Sequence, residues 1–382
     1  MTLQLPIKRI GIVGGGQLAR MLASPCATLQ VPLTVLDPMA GSPAGLVATS
    51  EQIGSLHDPR ALQALVEAVD VVSFDLENVG ADTLSALADA GASILPHPDV
   101  LRLIQNKWDQ KQHYLKHGIP TSACRRVDGS WASVEAFGVP CVQKAEVGGY
   151  DGRGVAIIEN EADWQHRLPG DTFVEAYVAN AIELGVMVCC RASGELVTYD
   201  PVEMVVDPEL HLLKYLLAPA RIAPDVAQQA RALAAQTVAS FNSPGLYGVE
   251  LFLTVDGTLW VNEVAPRAHN SGHHTIEACV TSQFENQLRA LLDLPLGSTT
   301  LRRSAVMLNL VGAPGYLGSP VIDGLVPLLS EPDVHVHLYG KQECRPGRKM
   351  GHITVLGDST EELVAIAEDI AATVVIRGES RQ

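Results

Sequence analysis

The sequence predicts an α/β fold, with α+β character in its later part, on three observations. In about the first 100 residues, short apolar runs alternate with segments of helical period, which is typical of a parallel sheet. A glycine turn, Gly14 to Gly16, joins the first apolar run to the first helix. Further along, predicted strands are joined by glycine-containing turns, which favours hairpins. The length of 382 residues allows two or three domains.

The composition indicates a globular protein, with 47% hydrophobic and 18% charged residues. Lys+Arg total 27 and Asp+Glu 43, giving a net charge of −16, so we expect no partnership with nucleic acid or an anionic membrane. The first residues contain no signal-peptide core and no apolar run could span a bilayer, so we expect a cytoplasmic protein. The 7 cysteines never form C-x-x-C, which argues against disulfides and a zinc site.

The first predicted strand, Arg9–Val13, leads into a turn that matches G-x-G-x-x-A and opens a helix. A second strand, Pro32–Leu36, ends at Asp37, close to the position of the ribose-binding acid in a dinucleotide fold. Such turns also occur in α/β domains that bind no dinucleotide, and the glycines alone favour that simpler interpretation. The dinucleotide alternative would be an NAD-dependent oxidoreductase that uses Gly14, Gly16, Ala19 and Asp37.

Helical segments at Asp58–Val69 and Ala81–Gly91 alternate with apolar runs at Val69–Phe74 and Ser93–Leu95. This is the rhythm of a βαβ unit. Glu77 follows one of these runs, at the carboxyl end of a strand, where open α/β sheets bind ligands. The simpler alternative is that Glu77 begins a loop.

Glycines join the strand Pro140–Ala145, which carries Lys144, to the strand Val155–Ile158. We expect this connection to be a flap whose backbone amides close over phosphates, although a purely structural hairpin is also possible. The next strand, Thr172–Val178, carries Glu175, which could bind a ribose or be solvated.

The turn at Asp256-Gly257 lies between two β-rich runs and predicts a hairpin with a two-residue loop. In that register Val255 pairs with Thr258, and Glu250 faces Glu263. Two facing acids destabilise a sheet unless a cation lies between them. Hard oxygen ligands suit Mg²⁺, or Mn²⁺, together with a nucleotide's phosphates. The alternative is a register error that places one acid in solvent.

Two polar segments follow the hairpin. The loop after it is crowded with basic and amide side chains that could bind an anion beside the metal or simply face solvent. Near the end, KQECRPGRK places four cations in nine residues of an acidic protein. Pro346-Gly347 bends this run, so its cations are expected to converge on a phosphate, with a solvated charge run as the alternative. The loop residues are Arg267, His269, Asn270, His273 and His274, and the cations are Lys341, Arg345, Arg348 and Lys349.

These segments together resemble the ATP-grasp superfamily and, within it, the 5-(carboxyamino)imidazole ribonucleotide synthetases of purine biosynthesis. The motifs that carry the resemblance occur in order: GIVGGGQLARM, ENV, GGYDGRG, NEVAPRAHNSGH, TSQFENQLRA and RPGRKMGH. The resemblance implies an ATP-grasp architecture, usually homodimeric. It would comprise a Rossmann-like domain at 1–99, an ATP-grasp domain at 100–297 with a lid around 120–185, and a small domain at 298–382.

The resemblance also implies a reaction, that of an ATP-dependent, carboxylating carbon–nitrogen ligase. ATP would phosphorylate bicarbonate, and carboxyphosphate, or CO₂ derived from it, would be captured by the exocyclic amine of 5-aminoimidazole ribonucleotide. ADP and phosphate would leave. The amino-terminal glycine turn would then support the ribonucleotide side of the cleft.

Site residues follow from the matching motif positions. The ATP site would contain Lys107, Lys144, Gly149, Tyr150, Asp151, Gly152, Arg153, Gly154, Val155, Glu175, Ala176, Tyr177, Val178, Glu183, Asn262 and Glu263. Mg²⁺ would be held by Glu250 and Glu263. The catalytic group would be Tyr150, Asp151, Arg267 and Asn270, with Asp151 placed to receive the amine proton. The ribonucleotide would contact Glu77, Tyr150, Asp151, Arg153, His269, Lys341, Arg348 and Lys349.

Three segments depart from the family pattern and imply weaker nucleotide contacts. Val155 replaces a usual Gln, residues 145–147 replace a basic run, and residues 203–207 replace Asn-x-His. Three rival functions remain open at this point: a formate-dependent glycinamide ribonucleotide transformylase, an NAD-dependent oxidoreductase, and a nucleotide sensor without turnover.

Overall fold

A four-stranded parallel sheet forms the first part of the computed structural model, which describes residues 8–149, 154–207 and 212–379. Its elements are β1 (Ile10–Val13), α1 (Gln17–Thr28), β2 (Leu33–Asp37), β3 (Ser50–Ile53), α2 (Pro59–Ala68), β4 (Val71–Phe74), α3 (Ala81–Asp89) and α4 (Pro98–Gln105). The strand order is β3-β2-β1-β4, and every pair is parallel. The predicted parallel sheet is confirmed.

Two details of this sheet differ from the sequence prediction. Strand β3 was not predicted, because its sequence SEQI is mostly polar and none of its residues is buried. The run Ser93–Leu95 forms no strand and makes only an isolated bridge between Val72 and Ile94. Both errors have the same cause, since the apolar pattern reports burial and not hydrogen bonding.

A second, antiparallel sheet lies within the segment predicted as a lid. Its strand order is β5-β8-β6-β7. It packs its own small core around Trp164 and Val174. Closure of this unit over a nucleotide remains a prediction. The elements are α5 (Lys107–Lys116), β5 (Cys124–Arg126), α6 (Trp131–Glu135), β6 (Cys141–Ala145), β7 (Val155–Ile158), α7 (Glu161–Gln165) and β8 (Thr172–Ala176).

The largest sheet of the described residues contains nine strands in the order β14-β13-β9-β11-β12-β15-β18-β17, with β10 paired to β9, while β16 and β19 pair separately. These strands are β9 (Ile182–Cys190), β10 (Leu196–Thr198), β11 (Val202–Val206), β12 (Leu213–Ala218), β13 (Gly245–Leu253), β14 (Leu259–Ala265), β15 (Ser304–Val311), β16 (Ser319–Asp323), β17 (Val334–Leu338), β18 (Lys349–Gly357) and β19 (Val375–Glu379). The helices are α8 (Pro224–Ala239), α9 (Thr275–Ala278), α10 (Gln283–Leu291), α11 (Leu325–Leu328) and α12 (Thr360–Thr373).

This sheet crosses the predicted boundary at residue 297, because β12 pairs with β15. The last part of the chain is therefore joined to the middle part by backbone hydrogen bonds. The domain limits 1–99, 100–297 and 298–382 remain predictions.

Helix α1 connects the first sheet to the large one by packing against α10. Leu18 and Leu22 of α1 share a buried cluster with Phe284 and Leu288 of α10. The glycine turn is thereby fixed close to the loop that follows the hairpin. Among the described residues, no helix combines the length and apolarity that a bilayer crossing requires.

Candidate active site

The hairpin of β13 and β14 brings two acids face to face. Glu250 is opposite Glu263, as the sequence predicts, and the pairing shifts by one residue just beyond them. Asn262 is the extra residue of this bulge, and its amide lies 3.4 Å from the Glu250 carboxylate. Three oxygen-bearing side chains therefore gather at one point of the sheet.

The turn that joins these strands differs from the prediction. The Thr254 amide donates to the Thr258 carbonyl at 3.0 Å, so the loop has three residues, and the predicted pair of Val255 with Thr258 is wrong. Gly257 takes a φ of 85°, which glycine adopts without strain. The extra loop residue and the bulge at Asn262 offset each other, and for this reason the two glutamates still face each other.

The two glutamates have unlike electrostatic environments. Burial, together with the nearby Glu263 and Glu183, raises the pKa of Glu250. Lys107, whose amine contacts the Glu263 carboxylate, lowers the pKa of Glu263 in spite of burial. One acid is thus neutralised by a lysine while the other is left among acids. A hard cation at this point would favour the charged form of both.

A second ion-pair cluster lies beside the hairpin. Glu175 contacts the amines of Lys144 and Lys111, the second at 3.0 Å, and Lys144 also donates to Asn262 Oδ1 at 3.0 Å. Burial raises the pKa of Glu175, but the two lysines outweigh it and bring the pKa to about 2. Glu175 therefore orients Lys144 towards the hairpin. A ribose contact by Glu175 stays a prediction.

Lys111 is only 3% exposed, and the sequence, which suggests that lysines of this helix could reach phosphates, did not assign it to the site. It lies one turn after Lys107 on α5, so the i, i+4 spacing of two lysines was the available signal. Burial lowers the pKa of Lys111, and its amine is further satisfied by Thr121 and Ser122 at 2.8 and 3.0 Å. Such a buried lysine needs an acid partner, which Glu175 supplies.

The structure describes only the two ends of the predicted flap, because Tyr150, Asp151, Gly152 and Arg153 lie outside the described residues. Gly149 and Gly154 flank the gap, and Val155 begins β7. Glu146, one of the departures from the family pattern, pairs with Arg126 at 2.6 and 2.7 Å. Its charge is therefore compensated within the lid and is not directed at a phosphate.

The predicted adenine segment connects the lid to the large sheet. Ala176 ends β8, and Tyr177 and Val178 follow it, with Tyr177 41% exposed. Glu183 lies in β9, where burial raises its pKa. It pairs across the sheet with Met204, a buried residue of the segment that departs from the family pattern.

The loop of residues 267–274, here called the anion loop, is held at several points. Arg267 pairs with Glu77 at 2.8 Å, and His269 Nε2 lies 3.5 Å from Glu250. The Asn270 amide is paired with Asn309 at 3.0 and 2.7 Å. The loop thus connects the first sheet, the hairpin and the last part of the chain.

Gln283 is a second residue that sequence reasoning missed. Its side chain accepts from the His269 amide at 3.0 Å and donates to the His269 carbonyl at 2.9 Å. It also lies 2.9 Å from His273 Nδ1. His273 and His274 are buried, and burial lowers the pKa of both. These two histidines pack in the interior under the loop, so they are not exposed to an anion bound at its surface.

The carboxyl-terminal cations lie at the start of β18 and in the turn before it. Lys341 donates to the Lys349 carbonyl at 2.6 Å, and Arg348 donates to the Glu343 carbonyl at 2.9 Å. Burial and the neighbouring Arg345 lower the pKa of Arg348. Arg348 thus lies near a second cation, Arg345, and its guanidinium is 3.8 Å from the Glu343 carboxylate.

Backbone amides of the amino-terminal glycine turn are hydrogen-bonded to carboxylates of the protein itself. Asp75 accepts from the Ala19 amide at 2.9 Å, and a Cβ on Gly16 would collide with the Asp75 carboxylate. Asp37 accepts from the Gly15 and Met39 amides, both at 2.9 Å. Burial raises the pKa of Asp75 to about 6, and Arg267 and Lys341 oppose that rise.

The NAD alternative is therefore wrong, because both features that suggested it have internal partners. Of the amides at the start of the helix that would receive a pyrophosphate, that of Ala19 already donates to Asp75. The acid that would bind a ribose is hydrogen-bonded to the turn itself. The close approach that the glycines allow is used by Asp75.

Comparison with known proteins agrees with this architecture over nearly the whole chain. The ribonucleotide synthetase preATP-grasp domain matches residues 7–105, the ATP-grasp domain matches residues 112–284, and the phosphoribosylaminoimidazole carboxylase C-terminal domain matches residues 305–365. The fold and the carboxylate–lysine site thus define an ATP-binding ligase of the ATP-grasp type.

Comparison with individual relatives identifies the family to which the chain belongs within this class. N5-carboxyaminoimidazole ribonucleotide synthase of Synechococcus elongatus is 37% identical over 380 residues, which cover 97% of this chain and 95% of that protein. The crystal structure of the synthetase from Thermotoga maritima has a TM-score of 0.91 at 41% identity and covers 97% of this chain and 100% of that one. The Aspergillus clavatus synthase, in complex with ADP and 5-aminoimidazole ribonucleotide, has a TM-score of 0.85 at 33% identity. The match covers 95% of this chain and 99% of that one.

The chain belongs to the N5-carboxyaminoimidazole ribonucleotide synthase family. Its activity is the ATP-dependent carboxylation of 5-aminoimidazole ribonucleotide in purine biosynthesis. The transformylase and sensor alternatives give way to this assignment.

Proposed function

We propose that this chain uses bicarbonate as its carbon source and a divalent cation, Mg²⁺ or Mn²⁺, held by Glu250 and Glu263. The observation that carries the proposal is the facing of these two acids across a bulged hairpin, with Lys107 and Lys144 beside them. Carboxylate oxygens are the hard ligands that Mg²⁺ prefers. When bound, Mg²⁺ would neutralise phosphate charge during phosphoryl transfer.

The residues around the two acids have different roles in the proposed phosphoryl transfer. Lys107 and Lys144 face the phosphates, and Glu175 orients Lys144. Arg267 and Asn270 hold bicarbonate as its oxygen attacks the γ-phosphorus of ATP and ADP leaves. The new P–O bond makes carboxyphosphate, a mixed anhydride that hydrolyses unless water is excluded. The lid at 120–185 would exclude water.

The second half of the reaction needs a site for the ribonucleotide. We propose that the ribonucleotide is bound by Glu77, His269, Lys341, Arg348 and Lys349. The amine nitrogen bonds to the carboxyl carbon, the C–O bond to phosphate breaks, and the amine proton passes to Asp151. The remaining contacts that we propose for ATP and the amine are Tyr150, Arg153, Gly149 and Gly152 to Val155, and for ATP also Glu175 to Val178, Glu183 and Asn262.

Three broader proposals accompany the chemistry. The 7 cysteines are all free thiols, which supports a reducing cytoplasmic location. A homodimer and the domain limits given above are proposed from the family resemblance. Light scattering of the purified chain tests the dimer, and limited proteolysis tests the limits.

The decisive experiment measures phosphate release with each component omitted in turn. We expect full turnover only with ATP, Mg²⁺, bicarbonate and 5-aminoimidazole ribonucleotide together, and loss of turnover on chelation of the metal. Formate with glycinamide ribonucleotide serves as the matched control pair. Turnover that is indifferent to bicarbonate, or turnover with the control pair, would disprove the proposal.

A further inference from the structure

Asn309 is a polar residue among apolar neighbours in the strand β15, and its amide reaches the anion loop. Asn270 Nδ2 donates to Asn309 Oδ1 at 3.0 Å, and Asn309 Nδ2 donates to Asn270 Oδ1 at 2.7 Å. Asn309 also donates to the Leu213 carbonyl at 2.8 Å. We infer that Asn309 is a positioning residue, which fixes the Asn270 amide so that it can bind the carbon donor.

The partners of Asn309 determine which way both amides point. The Leu213 carbonyl can only accept a hydrogen bond, so the NH₂ group of Asn309 must lie on that side. Its Oδ1 then faces Asn270, which must present its own NH₂ group there. One N–H of Asn270 is used in this pair, and its second N–H has no protein partner among the described residues. Asn270 is thereby held as a donor, as an anion requires.

Asn309 holds the loop to the large sheet. Strand β15 lies between β12, which contains Leu213, and β18. Gln283 holds the neighbouring His269 by both its backbone groups. The anion loop is thus fixed from two sides, and the contact from Asn309 is the one that reaches a side chain assigned to the carbon donor.

The inference rests on the proposed role of Asn270 in holding bicarbonate, and a double-mutant cycle tests it. Asn270→Ala, Asn309→Ala and the double variant are compared by kcat and by KM for bicarbonate and for ATP. We expect each single variant to lose about 10- to 100-fold in kcat/KM for bicarbonate, because a small misplacement of a binding group is costly. KM for ATP should not change. The double variant should be no worse than Asn270→Ala, because Asn309 acts through Asn270.

Two further variants separate positioning from packing. Ser304→Ala, on the same strand and away from the loop, should keep wild-type kinetics. Asn309→Asp keeps the size of the side chain but replaces the NH₂ group, which donates to Asn270 Oδ1 and to the Leu213 carbonyl, by an oxygen that neither acceptor can pair with, so its kinetics should be as impaired as those of Asn309→Ala.

Several outcomes would overturn the inference. Losses that multiply in the double variant, or wild-type kinetics of Asn309→Asp, would show that Asn309 does not act through its amide on Asn270. Wild-type kinetics of Asn270→Ala would remove the proposed role of Asn270 and this inference with it. Loss of bicarbonate dependence in the unmutated chain is a separate result, since it would disprove the proposed function.

Discussion

The carboxylate hairpin and the amino-terminal glycine turn both bring acids into buried surroundings, but the partners of these acids are opposite in kind. In the glycine turn, Asp75 and Asp37 accept hydrogen bonds from backbone amides of the same unit. In the hairpin, Glu250 faces a second acid, and burial raises its pKa. The difference teaches that a motif with binding chemistry marks a ligand site only where the protein leaves its charges unmatched.

The largest expected effect comes from removing a charge at the hairpin. Glu263→Gln should lower Mg²⁺-dependent ATP hydrolysis by about 100- to 1,000-fold, because an amide does not supply the charge that holds the cation. Phosphate release at saturating Mg²⁺ measures it. The exposed Glu331→Gln is the matched control. An unchanged rate in Glu263→Gln would remove the metal assignment and, with it, the contrast between the two regions.

Next in size is an opposite pH dependence of stability at a buried base under the anion loop and a buried acid beside the glycine turn. His274, under the anion loop, has its pKa lowered by burial from 6.5 to about 4, so its contribution is present above pH 6.5 and is lost as the pH falls towards 4. Asp75 has its pKa raised by burial from 3.8 to about 6, so its contribution is present below pH 3.8 and is lost as the pH rises through 6.

Urea unfolding of His274→Gln and Asp75→Asn between pH 4 and 6.5 tests these signs. The wild-type free energy of unfolding, relative to each variant, should rise with pH for His274→Gln and fall with pH for Asp75→Asn. Each change is at most about 3 kcal/mol, at about 1.4 kcal/mol for each pH unit. Slopes of the same sign would contradict the opposite effects that burial is expected to have at His274 and Asp75.

A smaller effect is expected where cations are crowded together. Arg348→Ala should raise KM for the ribonucleotide by about 10-fold, because a charge-assisted hydrogen bond to its phosphate is lost. KM for ATP should stay unchanged. Arg60→Ala, on the exposed start of α2, is the control. If KM rises for ATP alone, the carboxyl-terminal cations have been assigned to the wrong ligand.

The smallest effect is expected at Asp37 of the glycine turn. Asp37→Ala should cost about 1 kcal/mol in the free energy of unfolding, because two turn amides lose their acceptor. Steady-state turnover should stay near wild type, and titration with NADH should show no binding to either protein. Asp89→Ala, at an exposed position of α3, is the stability control. NADH binding that Asp37→Ala abolishes would overturn the internal role given to this acid.

The hairpin shows how a correct prediction can rest on an incorrect local detail. The Asp-Gly turn predicted that Glu250 faces Glu263, yet the loop is one residue longer than expected and Asn262 forms a bulge. Turn signals in a sequence locate a hairpin more reliably than they fix its loop length. The two acids still face each other because the bulge offsets the extra loop residue. It returns both side chains to one face of the sheet, where the active arrangement needs them.

The sequence by itself determined the parallel sheet, the hairpin and the order of the polar segments, because apolar period and turn residues act over short stretches of chain. Only the tertiary structure decided which charges are matched. The pairs Lys111–Glu175, Asp75–Ala19 and Asn270–Asn309 join residues that lie far apart in sequence. The physical reason is that a pattern of residues fixes where a side chain lies on its own element, whereas burial and charge partners arise only when elements pack together.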